Sequence, residues 1–153
     1  VIILHRKPGK DNILTNLLAS RTKMVVKEVE EKEEMLPSTL YIAPPNYHLL
    51  IENDHTFSLD ASEKVNFSRP SIDVTFQSAA EVFKENLVCL LLSGANSDGS
   101  AGLKIVKEFG GAALVQDPDS AVVSFMPESA IANLEVDAVL KSSEMSEYIN
   151  NLP

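Results

Sequence analysis

Short runs of consecutive apolar residues alternate along this chain with stretches in which apolar positions recur every three or four residues. The first run, Val1-Ile2-Ile3-Leu4, closes on His5 and is followed by Pro8-Gly9, the pattern of a strand covered on both faces. Asp11 can cap a helix whose apolar face is Ile13, Leu14, Leu17 and Leu18. Met24-Val25-Val26 reads as a second strand, and the charged stretch from Lys27 to Glu34 reads as a solvated loop or exposed strand edge. Leu40-Tyr41-Ile42-Ala43 is strand-like and stops at Pro44-Pro45. Tyr47 to Glu52 and Thr56 to Leu59, separated by Asn53-Asp54, predict a β-hairpin.

The second half is more regular. Ser71 opens a helix running to about Lys84, and Leu87 to Leu92 is the strongest central-strand candidate. A small-residue loop from Ser93 to Gly99 leads into a helix from about Ala101 to Phe109, ended by Gly110-Gly111. Ala112 to Val115 and Ala138 to Leu140 predict two further strands, with a brief helix from Met126 to Ile131 between them. Ser142 is expected to cap a terminal helix reaching about Asn151. Alternating strands and helices predict an α/β fold: a three-layer αβα arrangement around a doubly wound, mostly parallel sheet, with the hairpin as an excursion. Val1 falls inside a strand and no initiator methionine precedes it. The chain is therefore expected to be one domain, residues 1–153, that lacks its N-terminal strand or strands.

Composition narrows the function. A net charge of −9, with 13 Lys and Arg scattered along the sequence, argues against nucleic-acid partners and anionic membrane surfaces. No apolar stretch approaches the roughly 20 residues of a membrane span, so a cytoplasmic protein is expected. The single cysteine, Cys89, sits in an apolar run and reads as a buried, inert thiol. The three histidines lack metal-site spacing, and no phosphate loop or Gly-x-Ser-x-Gly elbow occurs. No cofactor or metal is expected.

In open α/β sheets, ligands bind outside the carboxyl ends of strands. His5 ends the first strand, and Asp98 lies in the glycine-rich loop after the Leu87–Leu92 run. A histidine there can act as a general base, and a carboxylate beside it would orient the ring. The residues alone leave a second reading open, in which His5 is a strand-boundary residue and Asp98-Gly99 an ordinary turn or cap signal. His48 and His55, in the hairpin strand and near its turn, look blander still.

Four segments sharpen the picture: residues 40–50 (LYIAPPNYHLL), 69–76 (RPSIDVTF), 93–102 (SGANSDGSAG) and 116–123 (QDPDSAVV), the last followed by Met126-Pro127. In order and spacing they resemble the C-terminal effector domain of bacterial chemotaxis protein-glutamate methylesterases. The resemblance implies hydrolysis of glutamate methyl esters, and the glutamine deamidation that some members add, on the cytoplasmic helices of methylated chemoreceptors. It implies a Ser-His-Asp triad with His5 as the histidine and Asp98 as the aspartate. It also makes Arg69 a candidate substrate contact, beside the alternative of a surface arginine before a helix; Ser93, Ser97 and Ser100 belong to the loop of the aspartate and read as backbone-bonded residues.

The family's nucleophile lies upstream of the triad histidine, so the serine is expected outside this chain, leaving the fragment alone inactive. Departures accompany the match. The loop that usually reads Thr-Gly-Met-Gly before the aspartate is Ser93-Gly94-Ala95-Asn96-Ser97 here, and Arg6-Lys7 separate His5 from Pro8. No receiver domain is expected within residues 1–153, and the parent protein is expected to offer a receiver domain or a methyltransferase as a partner. Two other readings share the fold: a catalytically inactive binding module in a signalling complex, and an esterase or amidase with another substrate.

Overall fold

The computed structural model describes residues 1–9 and 13–152. The helix-capping role expected of Asp11 lies outside the described residues. Among the described residues, five α-helices and seven strands follow one another as α1 (Ile13–Ala19), β1 (Val25–Glu28), β2 (Thr39–Ile42), β3 (His48–Ile51), β4 (Phe57–Asp60), α2 (Ile72–Phe83), β5 (Val88–Leu91), α3 (Ser100–Glu108), β6 (Ala112–Gln116), α4 (Phe125–Asn133), β7 (Ala138–Leu140) and α5 (Met145–Asn150). The α/β class and the largely parallel pairing match the expectation.

The strands fall into three groups. β1 and β2 pair in parallel, as do β5, β6 and β7 in that order, whereas β3 and β4 form the expected antiparallel hairpin. The opening strand is reduced to one parallel bridge, Ile2 to Ile42, secured by Ile2 N–H to Tyr41 C=O and Ala43 N–H to Ile2 C=O. It adds residues 1–4 to the free side of β2. Two parallel groups therefore face each other, Val1–Leu4 on one side and β5 on the other. Among the described residues, β5 pairs only with β6.

Apolar burial joins the groups from the helical side. Ile72, Phe76 and Ala80 of α2, Leu103 and Val106 of α3, and Met126 and Ala130 of α4 close over Cys89, Leu91, Ala113 and Val115. A second cluster packs Ala79 of α2 against Tyr41, Leu49, Ile51 and Phe57, with the Tyr41 and Phe57 rings 4.8 Å apart and tilted by 59°. Ile3 and Leu87 touch both clusters, so the core is continuous despite the divided sheet.

Two glycines are required by geometry. Gly99, at φ +95°, starts α3 in the left-handed region. A Cβ at Gly102 would stand 2.9 Å from the Asp73 Cα, so this glycine sets how closely α2 and α3 approach. The terminal helix departs from expectation. Its cap position is Glu144 rather than Ser142, because the Ser142 hydroxyl accepts a hydrogen bond from the buried Gln116 amide instead.

Candidate active site

The loop between β5 and α3 carries Asp98 into the interior. Asn96 shapes that loop: its side-chain oxygen accepts from Asp98 N–H, and its amide donates to Ser68 Oγ and Asn66 C=O. The Asp98 carboxylate has no exposed surface. Oδ2 accepts from His5 Nε2 at 2.6 Å and from Ile72 N–H at 2.7 Å. Oδ1 accepts from Ser71 Oγ at 2.7 Å and from Asp73 N–H at 3.0 Å.

Asp98 thus sits on the N-terminus of α2, where free N–H groups and the helix dipole favour negative charge. Ser71 is the N-cap residue of α2, yet its hydroxyl makes no bond to its own helix and turns to Asp98. Burial pushes the Asp98 carboxyl up. The hydrogen bonds from His5, Ser71 and the Asp73 and Ile72 amides outweigh it and hold the group below the usual carboxylate value.

The arrangement is reciprocated. Asp73, in the first turn of α2, accepts from Gly99 N–H at 2.9 Å and Gly102 N–H at 2.6 Å, the N-terminus of α3. Its other oxygen takes the Asn66 amide at 2.8 Å. Asp73 of α2 thus caps α3, and Asp98, in the loop leading into α3, caps α2. Burial, together with the charge of Asp98, moves the Asp73 carboxyl above its ordinary value despite these amides.

His5 reaches Asp98 from the edge that Ile2 anchors, and its side chain keeps 28% of its surface exposed. Asp98 Oδ2 is an acceptor, so Nε2 carries the proton of this bond and Nδ1 is left with a free lone pair. Arg6, the next residue, pairs with Glu28 at the end of β1. Beside His5 opens a cavity of about 1250 Å³ between the Val1–Leu4 edge and β5, lined largely by apolar side chains and by Ser93, Gly94, Ala95 and Asn96 of the Asp98 loop.

A sequence profile described as CheB methylesterase matches residues 1–149. The chain belongs to the CheB methylesterase family. It is 50% identical over 152 residues to a putative protein-glutamate methylesterase/protein-glutamine glutaminase of Leptospira interrogans, covering 99% of this chain and 79% of that protein. The protein-glutamate methylesterase/protein-glutamine glutaminase of Thermotoga maritima is 36% identical over 155 residues, and this chain spans 45% of its length. The crystal structure of the Thermotoga maritima CheB methylesterase catalytic domain superposes with a TM-score of 0.90 at 36% identity, covering 96% of this chain and 79% of that one.

Within this CheB-family chain, the structure brings together His5 and Asp98, as expected from the sequence. Arg69 stands two residues before Ser71 in the sequence. Its Nη1 donates to the carbonyls of Ala61 and Ser62, so that nitrogen braces the segment after β4. Ser93 Oγ bonds the backbone of Val123 and Ser100 Oγ the carbonyl of Ser129, the loop roles expected of them. Cys89 is buried, which pushes its thiol up to about 12 and leaves it un-ionised at neutral pH. No metal-binding group of His, Cys, Asp and Glu occurs among the described residues, and no described helix is long and apolar enough to cross a membrane.

Two residues that sequence patterns passed over prove central. Ser71 supplies a hydroxyl to Asp98, and His48, with 1% exposure, holds the backbone N–H of Ser71 through Nδ1 at 3.1 Å. The signal that could have found His48 is a histidine at an otherwise apolar core position of a hairpin strand.

Proposed function

We propose that this chain supplies the histidine and aspartate of a Ser-His-Asp triad that hydrolyses glutamate methyl esters, and in part glutamine amides, on cytoplasmic chemoreceptor helices. The observation that carries the reading is the 2.6 Å bond between His5 and the fully buried Asp98 at the carboxyl ends of parallel strands, beside an open cavity. In this reading the nucleophilic serine comes from a segment outside residues 1–153. The cavity supports that assignment, because it separates two parallel edges whose neighbours are missing among the described residues. A strand laid into it would pair with both edges and end near His5.

The chemistry follows from the proton inventory. Asp98 holds the Nε2 proton of His5, so Nδ1 is the base. Serine Oγ attacks the ester carbonyl while its proton passes to Nδ1. The imidazolium, stabilised by the Asp98 charge, returns that proton to the departing methoxide, and methanol leaves. Water then loses a proton to Nδ1 as it attacks the acyl-serine. The proton goes back to serine Oγ, and glutamic acid is released and loses its proton to water as the carboxylate. With a glutamine substrate, ammonia departs in place of methanol. Arg69 enters as a rim residue, contacting substrate with donors beyond the Nη1 that Ala61 and Ser62 occupy. A cytoplasmic location and a receiver-domain or methyltransferase partner belong to the same reading.

The test is methanol release from methylated receptor by the full-length protein. Turnover that vanishes in His5→Ala and in a Ser→Ala change upstream of Val1 is the expected result. Retained receptor binding with no turnover would instead make the domain a binding module. Cleavage of small esters without receptor demethylation would move it to another substrate.

A further inference from the structure

We propose that His48 is a positioning residue of the site, fixing the direction of the Asp98 carboxylate through Ser71. The inference rests on the reading of His5 and Asp98 as the catalytic pair and adds a layer behind them. The chain of contacts is short. His48 Nε2 meets the Glu63 carbonyl at 2.9 Å, and His48 Nδ1 meets Ser71 N–H at 3.1 Å. Ser71 Oγ donates to Asp98 Oδ1 at 2.7 Å, and Asp98 Oδ2 faces His5.

The partners of His48 decide its form. A carbonyl can only accept and an amide N–H can only donate, so Nε2 carries the ring proton and Nδ1 is the acceptor. Only this neutral tautomer satisfies both contacts, because a proton on Nδ1 would face the Ser71 N–H. His48 is 1% exposed and Ser71 fully buried, so water offers Ser71 N–H no substitute acceptor.

The position of Ser71 matters because it is the N-cap of α2. The Ser71 hydroxyl and the next two amides, Ile72 and Asp73, supply three of the four donors that hold Asp98. A shift of Ser71 therefore turns the carboxylate against His5. The structure gives His48 no contact with the reacting atoms, so its effect falls on alignment rather than on substrate binding. Glu63 takes part only through its backbone, so the sequence can vary there without breaking the chain.

The test separates the two ring nitrogens. His48→Asn keeps an acceptor near the Nδ1 position, His48→Gln keeps a donor near Nε2, and His48→Phe keeps ring volume alone. In the full-length protein, the low-field proton NMR resonance of the His5–Asp98 hydrogen bond reports alignment without any substrate. Steady-state hydrolysis of methylated receptor reports the consequence.

The expected result is that His48→Asn keeps the resonance and stays within about threefold of native kcat. His48→Gln and His48→Phe should broaden or lose the resonance and lower kcat about tenfold or more at unchanged KM. Native-like resonance and kcat in His48→Phe would overturn the proposal, since packing alone would then suffice. Equal loss in all three variants, the Asn form included, would overturn it as well. If the native protein shows no turnover while the resonance still follows the acceptor, the methylesterase reading fails and the positioning role stands.

Discussion

The hydrogen bond at the centre of the site joins two unlike neighbourhoods. On one side, Asp98 is buried and held by donors from the Ser71 hydroxyl and the Ile72 and Asp73 amides, in addition to His5. On the other side, His5 projects from a segment tied to β2 by a single bridge, with one flank on a large cavity. In the mechanism proposed for this site, the contrast separates two tasks. A carboxylate that orients an imidazole works best when it cannot move or change charge. The imidazole itself must exchange protons with groups that come and go. Rigidity is concentrated where the charge is constant, and access where the proton travels.

The comparison can be broken most directly at the carboxylate. Asp98→Asn keeps the size of the side chain but removes the charge and offers an amide where His5 needs an acceptor. Hydrolysis is expected to fall about 10³- to 10⁴-fold, measured as kcat on methylated receptor. A loss below tenfold would show that Asp98 is only a structural cap. Next in size is Gly102→Ala, which drives a methyl toward the Asp73 Cα and the Phe76 side chain. It should cost about 1–3 kcal/mol in denaturant unfolding and lower activity by misplacing the Asp98 loop. Activity unchanged at reduced stability would separate α3 packing from the site.

A smaller effect is expected at Arg69. Arg69→Lys loses the shape of the donor that spans the Ala61 and Ser62 carbonyls, for about 1 kcal/mol of stability. A rise in KM at constant kcat would support its rim contact with substrate, and no change in KM would confine it to bracing. The smallest effect is a pH dependence, and the two acids predict opposite signs. Asp98 titrates below its unfolded value near 3.8, so its stabilisation is present above that pH and fades as pH falls through the lower folded value. Asp73 titrates above 3.8, so its contribution is complete below that value and is lost as pH rises through the folded one. Asp73→Asn should therefore gain on the native protein between acid and neutral pH, whereas Asp98→Asn should lose ground. Urea midpoints measured across that range would show curves of opposite slope, and parallel curves would refute the assignment.

Much of the architecture was legible because it is written in local patterns. The apolar run around Leu91 predicts a strand, and the turn between Leu49 and Leu59 predicts the hairpin that β3 and β4 form. The places of His5 and Asp98 at strand ends made them candidates, the family resemblance of residues 93–102 pointed to Asp98, and the looser match at the start of the chain pointed to His5. What was not legible depends on contacts between distant residues. Nothing near His48 announces that Ser71, 23 positions on, will need its Nδ1, nor that Asp98 will borrow the N-terminus of a helix 26 positions back. Ser142 was misread for the same reason, since its hydroxyl answers to Gln116 across the sheet edge rather than to the helix that follows. The opening strand shows the opposite failure. Its apolar pattern is strong, but strand pairing needs neighbours, and among the described residues only β2 provides one.

The crossed caps of α2 and α3 also bear on how the molecule comes apart. A helix capped from within can fray or re-form alone, but here Gly102 N–H depends on an acid of α2, and Ile72 N–H on an acid in the loop that leads into α3. Opening either end strips the partner of its cap, so both helix starts should exchange their amide hydrogens in one shared event.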